Sequence, residues 1–140
     1  MKSLLLFFLI ITSFSITSCE NDKNPKPNIT TGVYGTIKYG IGDCMPVINE
    51  SNRIYTNYNG EIYFINKADL DNLGNGDFIQ LKSNSIHTNI TNGVLAIELP
   101  ENTYLVMPKE VYLYSDSNTI TIQKGVALKF NFNFWNCTSY

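Results

Sequence analysis

The sequence predicts an all-β domain, a sandwich or barrel of short strands. Three observations carry this. From Gly32 onward the dominant hydrophobic period is two rather than 3.6. The apolar runs are short and rich in β-branched and aromatic residues. Turn formers punctuate them at close spacing.

The elements follow in order. Val33, Gly35, Ile37 and Tyr39 alternate with Tyr34, Thr36 and Lys38, which predicts a first strand. Glu61 to Ile65 is a second apolar run. Lys67 to Leu73 is the one stretch with room for a helical turn. Phe78 to Leu81 follows a Gly-Asn-Gly turn signal and reads as a strand. Val94 to Leu99 and Thr103 to Val106 flank Pro100. Val111 to Tyr114 and Thr119 to Gln123 are separated by Ser115 to Asn118, a hairpin-like turn. Val126 to Phe134 ends in clean alternation, with Phe130, Phe132 and Phe134 facing one way and Asn131 and Asn133 the other.

Ahead of this lies a different kind of sequence. Lys2 precedes an apolar run from Leu4 that extends to Ile16, then Thr17 and Ser18. As a helix that run would rise about 20 Å, short of a hydrocarbon core about 30 Å thick. The pattern predicts a secretory signal peptide over residues 1–18. Ile16-Thr17-Ser18-Cys19 resembles the lipobox of bacterial lipoproteins. That resemblance implies cleavage before Cys19 and a diacylglycerol on its thiol, an anchor worth about 0.8 kcal/mol per buried CH₂. Glu20 and Asp22 resemble the acidic export tags of Bacteroidota surface lipoproteins, although Lys23 ends the match. They imply display at the cell surface; the alternative is an outer-membrane anchor facing the periplasm. Residues 19–31 hold Pro25 and Pro27 among polar neighbours and read as a lipidated tether. The domain is expected over 32–140.

The chain has 10 basic and 12 acidic residues, a formal charge of −2. They are scattered, with no basic stripe interleaved with aromatics, so nucleic acid is not an expected partner. With Cys19 acylated, Cys44 and Cys137 remain as a pair in a compartment where a disulfide persists. A bridge closing so long a loop is worth about 4–5 kcal/mol in the chain-entropy model. Two thiols that never meet are the alternative.

A second resemblance lies in Thr91 to Val106, TNGVLAIELPENTYLV, through Asn92, Gly93, Leu99, Pro100, Thr103 and Tyr104. This stretch resembles the strand–turn–strand signature of carboxypeptidase-regulatory-like (transthyretin-like) domains. Gly32 to Val47 resembles their first strand and C-x-P turn. Glu101-Asn102 stands where the family has Pro-Gly, and the segment from Asn66 to Thr91 is longer than in the family. The resemblance implies a single Greek-key β-sandwich of about seven strands, transthyretin-like or Ig-like. It also implies a module that stabilises, docks or binds rather than catalyses. The whole chain is similar to small Bacteroidota lipoproteins.

The chemistry-bearing residues agree with a non-enzyme. The one histidine, His87, lies in a strand-like alternation where a surface role is expected. A Cys44–His87 pair would imitate a nucleophile and base, but a bridge to Cys137 abolishes it. There is no nucleophile elbow, HExxH motif or phosphate-cradling glycine loop. Asp69, Asp71 and Asp77, with Gly74, partly match a calcium loop. Leu73 and Gln80 stand where two oxygen ligands are needed, so at most weak calcium binding is expected and no other cofactor. Tyr55, Tyr58, Tyr112 and Tyr114 are the candidate binding patch, since tyrosines on an exposed sheet face stack on sugars or anchor a partner. The function expected is that of a lipid-anchored, non-catalytic binding or structural module with a membrane contact through its lipid and a protein or glycan partner. A periplasm-facing accessory or inhibitor subunit is the alternative.

Overall fold

The computed structural model describes residues 27–44, 50–111 and 115–138. Cys19, most of the tether, Tyr112 and Tyr114 lie outside the described residues. The fold is an all-β sandwich of two sheets, with nine strands among the described residues.

The spine of the first sheet is β1 (Gly32–Gly42). Along one edge it pairs antiparallel with β5 (Val94–Glu98) through Gly32↔Glu98 to Thr36↔Val94. It then pairs with the two-residue β2 (Thr56–Asn57) through Lys38↔Asn57 and Tyr39↔Thr56. Along the other edge it runs parallel to β8 (Ala127–Lys129) and β9 (Phe132–Cys137). The last two are the single strand expected over Val126 to Phe134, interrupted at Phe130 and Asn131. The interruption leaves the register unshifted, because the Asn131 side chain replaces a ladder carbonyl. Its Oδ1 accepts from the Thr36 N–H at 2.9 Å.

The second sheet is antiparallel, in the order β4 (Ile86–Ile90), β3 (Gly60–Asn66), β6 (Asn102–Pro108), β7 (Thr119–Ile122). Alternation decides what meets between the sheets. Val33, Ile37, Leu95, Phe132 and Phe134 come from the first sheet. Ile62, Phe64, Tyr104, Val106, Ile120 and Ile122 come from the second. Phe130, Phe132 and Phe134 form a continuous ladder, with ring centroids 4.6 and 5.7 Å apart.

Two expectations are corrected. Phe78 to Leu81 is helical, not a strand: α2 spans Phe78–Ser83, after the expected helical turn at α1 (Lys67–Asp71). Asp77 caps α2, its carboxylate accepting from the N–H groups of Ile79 and Gln80 at 2.9 and 3.2 Å. Phe78 and Leu81, three apart, turn toward the sheet, while Ile79 is 55 % exposed. With Leu70 and Leu73 they cover Ile65, Leu105 and Met107 on the outer face of the second sheet. The long segment after Asn66 is therefore a third layer over the sandwich.

The second correction concerns Thr91 to Val106, which does not form a strand pair. β5 joins the first sheet and β6 the second, so the chain crosses between sheets at Leu99 and Pro100. Tyr104 ties this corner by donating its hydroxyl to the Pro100 carbonyl at 3.1 Å. The Asn92-Gly93 turn forms as its residues require, with φ of 53° and 71°.

Candidate functional site

Gly40 and Gly42 stand two apart on β1, so both face outward, opposite Trp135 and Cys137 in the β9 register. Neither has the left-handed φ that demands glycine. They are glycine for space: a Cβ on Gly40 would stand 2.5 Å from Cζ3 of Trp135, and one on Gly42 2.6 Å from its Cζ2. The indole therefore lies against bare β1 backbone. Tyr55 meets the ring edge-on, centroids 5.5 Å apart and planes at 69°. The Arg53 guanidinium lies over the ring, 4.9 Å from its centroid. Trp135 is thus a post that fixes Arg53 and Tyr55.

Beside this post is a cleft of about 270 Å³. It lies between β9 and the described ends of the β6–β7 connection, Val111 and Ser115 to Asn118. Arg53, Tyr55 and Trp135 line one side; Ser115, Ser117, Asn118 and Asn133 supply polar groups. Val111 and Phe134 close it with apolar surface. One buried polar atom of a lining residue, Nε1 of Trp135, has no hydrogen-bond partner. Each orphan of this kind costs about 1–3 kcal/mol, and such groups call for an explanation.

The connection is held from behind by Lys82. This side chain is 5 % exposed, and its ammonium donates to the carbonyls of Pro108, Lys109 and Val111 at 2.8, 2.9 and 2.9 Å. It also lies 5.3 Å from the Tyr63 ring centroid. Burial pushes its pKa down to about 8. Three carbonyl acceptors make it a brace at the root of the cleft.

The other predicted residues fall as follows. Tyr55 lines the cleft. Tyr58 does not: it is 4 % exposed, and its hydroxyl contacts the Glu61 carbonyl and Glu110 Oε2, both at 2.8 Å. Its polar tip is satisfied indoors, so it belongs to the core. Burial first, then Glu110, raises its pKa above the ordinary phenol value. Cys44 and Cys137 form a disulfide joining the chain just beyond β1 to the end of β9, Cα atoms 5.3 Å apart. Asp69, Asp71 and Asp77 are not gathered as a calcium loop. Asp69 and Asp71 are helical, Asp71 pairs with Lys67, and Asp77 is spent on its cap. Among the described residues no three His, Cys, Asp or Glu side chains cluster to hold a metal.

His87 stacks on Tyr63, ring centroids 5.3 Å apart, and its Nδ1 lies 3.1 Å from the Ser85 carbonyl. Nearby, Glu61 takes an ion pair from Lys109 at 2.9 Å and a hydrogen bond from Tyr63 at 3.1 Å. Those two contacts, Lys109 first, hold its carboxyl below the usual range.

Sequence reasoning passed over Arg53, Asn118, Asn133 and Trp135 as site residues. The available signal was Gly40-Ile-Gly42, two glycines at alternate positions of a strand, which marks close approach by another group. Comparison of the chain with known protein families, curated proteins and solved structures returned no match.

Proposed function

We propose that the protein is a lipid-anchored envelope protein whose β-sandwich is a non-catalytic binding module, with the Trp135 cleft as its site. The observation that carries the binding reading is a cleft lined by a buttressed Trp–Arg–Tyr cluster, in which the buried indole N–H of Trp135 lacks a partner. The anchor rests on Cys19 behind its apolar leader. The acidic residues after Cys19 favour the outer-membrane surface. The transthyretin-like reading is supported by the Asn92-Gly93 turn, formed by residues that carry the resemblance. The reading requires no cofactor; the partner is a protein or a glycan.

The second reading, a periplasm-facing accessory or inhibitor subunit, draws on Ile41 and Ile54. They are 58 % and 79 % exposed. Continuing the antiparallel β1–β2 register sets them opposite each other, a small apolar contact for a protein surface.

Cells fed an alkyne fatty acid test the anchor. The wild-type chain is expected to label and to sediment with membranes, and Cys19→Ala to do neither. An unlabelled wild-type chain, or a Cys19→Ala chain still held by the membrane, contradicts it. Protease treatment of intact cells separates the two faces: digestion means surface display, protection until the outer membrane is broken means the periplasm.

A further inference from the structure

We propose that the outer edge of β4 is a self-association surface, where two copies of this chain pair antiparallel through Ile86–Ile90 about a two-fold axis at Thr88. The pairing joins their second sheets into one. It uses the edge of that sheet remote from β7, and it does not depend on the binding reading of the Trp135 cleft.

The edge is open, and register tells which groups it offers. Among the described residues no strand pairs with the outer side of β4. Lys109 donates its N–H to the Glu61 carbonyl at 3.0 Å, one step beyond the Ile62↔Pro108 pair. The odd-numbered residues of β3 therefore direct their backbone groups to β6, and the even-numbered ones direct theirs to β4. Ile62 and Phe64 take up Thr88 and Ile86. His87 and Asn89 lie at the alternate positions, so their N–H and C=O groups point away from the sheet. Both residues are exposed. Sheet edges are ordinarily blunted by charge, proline or a bulge. From Ser85 to Thr91 there is no lysine, arginine, carboxylate or proline, and the β3–β4 ladder runs without a bulge.

The strand's own sequence decides the occupant. Ser85-Ile-His-Thr-Asn-Ile-Thr91 has the same pattern read from either end. Antiparallel self-pairing about Thr88 sets Ile86 opposite the second copy's Ile90, His87 opposite its Asn89, and Thr88 opposite Thr88. Ser85 falls opposite Thr91. A two-fold axis makes each unlike pairing occur twice. Parity agrees with this register. His87 and Asn89, whose groups point outward, meet as a hydrogen-bonded pair and exchange both N–H···O bonds. A slip of one residue would set outward groups against inward ones. A slip of two would set His87 against His87, or Asn89 against Asn89, and separate Ile86 from Ile90. Ile86 is 40 % exposed and gains an apolar neighbour in the favoured register. No lysine, arginine or carboxylate meets its like. A foreign peptide would need no such symmetry in β4.

Thr88, on the two-fold axis, supplies the test. Opposed residues of a non-hydrogen-bonded pair have Cα atoms about 4.5 Å apart, within the disulfide range of about 4.4–6.8 Å. Whole cells producing the full-length Thr88→Cys chain are treated with a mild oxidant and analysed without reductant. A reductant-sensitive product with the mass of two chains is expected. Its yield should exceed that of the wild type and of Thr121→Cys by about tenfold; Thr121 is exposed on β7, at the opposite edge of the same sheet. Adding His87→Lys and Asn89→Lys sets like charges opposite each other and should cut the yield by about tenfold. Co-production with a differently tagged chain carrying Thr88→Cys, His87→Glu and Asn89→Glu should restore a mixed dimer, a rescue that a misfolded chain would not show. Absence of the two-chain product, an equal yield from Thr121→Cys, or loss with the lysines and no recovery with the glutamates overturns the proposal. A product of any other mass puts a different protein on this edge and overturns it too.

Discussion

Gly40→Ala offers a prediction whose sign alone is decisive. In extended backbone, replacing glycine by alanine ordinarily stabilises by about 0.4–1 kcal/mol, because the unfolded chain has less freedom to lose. Gly40 has no left-handed φ to forbid the change. The new Cβ, however, would stand 2.5 and 2.6 Å from two Trp135 ring carbons and 2.7 Å from the Ile54 carbonyl oxygen. The backbone oxygen cannot swing aside, and the indole is held by Tyr55 and Arg53. Overpacking of this kind costs about 1–3 kcal/mol, which outweighs the entropic gain. For a domain of this size each kcal/mol moves the thermal midpoint by about 4–8 °C. Thermal unfolding should therefore show a clear fall, with a shift in Trp135 emission as the ring leaves Arg53. In a Trp135→Ala background the same substitution should cost less, since only the Ile54 carbonyl still opposes it. An unchanged or raised midpoint with unchanged emission would refute the packing of the post, and with it the fixed position of Arg53.

Lys82→Met leaves three carbonyls without their donor and should destabilise by about 3 kcal/mol, read by denaturant titration. Because burial lowers the folded-state pKa of Lys82 to about 8 from 10.5, the unfolded chain binds more protons between those values. The wild type should then gain stability relative to Lys82→Met as pH rises from about 8 to 9.5, and a parallel pair of curves would contradict this. Cys44→Ser should lower stability by up to about 4–5 kcal/mol, since the bridge spans a sequence separation of 93. Added reductant should lower the midpoint of the wild type but not of the variant. Glu98 accepts from the N–H groups of Thr30 and Thr31, contacts that hold its carboxyl below the usual range. Its hold is present above the ordinary carboxylate pKa and lost as pH falls through the lowered one. Glu98→Gln should speed amide exchange at both threonines, and unchanged exchange there would show that the carboxylate does not fasten the chain.

What could be read from the sequence was what is local. The alternation of Val33, Ile37, Phe132 and Phe134 gives their inward faces directly. So does the turn chemistry of Asn92-Gly93. Phe78 to Leu81 misled because four apolar-rich residues are too few to separate a period of two from 3.6. Asp77, which caps the helix, was the better cue. Tyr58 resembles a surface residue between Asn57 and Asn59. Only the fold brings Glu110 and the Glu61 carbonyl to its hydroxyl. The cleft was the least legible part. It depends on Gly40 meeting Trp135 and on Arg53 reaching across that pair, contacts set by register and not by neighbouring residues.

The most direct test of the central claim, that the Trp135 cleft is where this module meets its partner, is site-specific photo-cross-linking in living cells. A photoreactive residue at Asn133, beside the cleft, is compared with one at Asn89, exposed on β4 in the opposite sheet. A discrete adduct, other than a two-chain product, is expected from position 133, absent from 89 and lost when Arg53→Gln is added. Such adducts in equal yield from both positions, or from 89 alone, would contradict it.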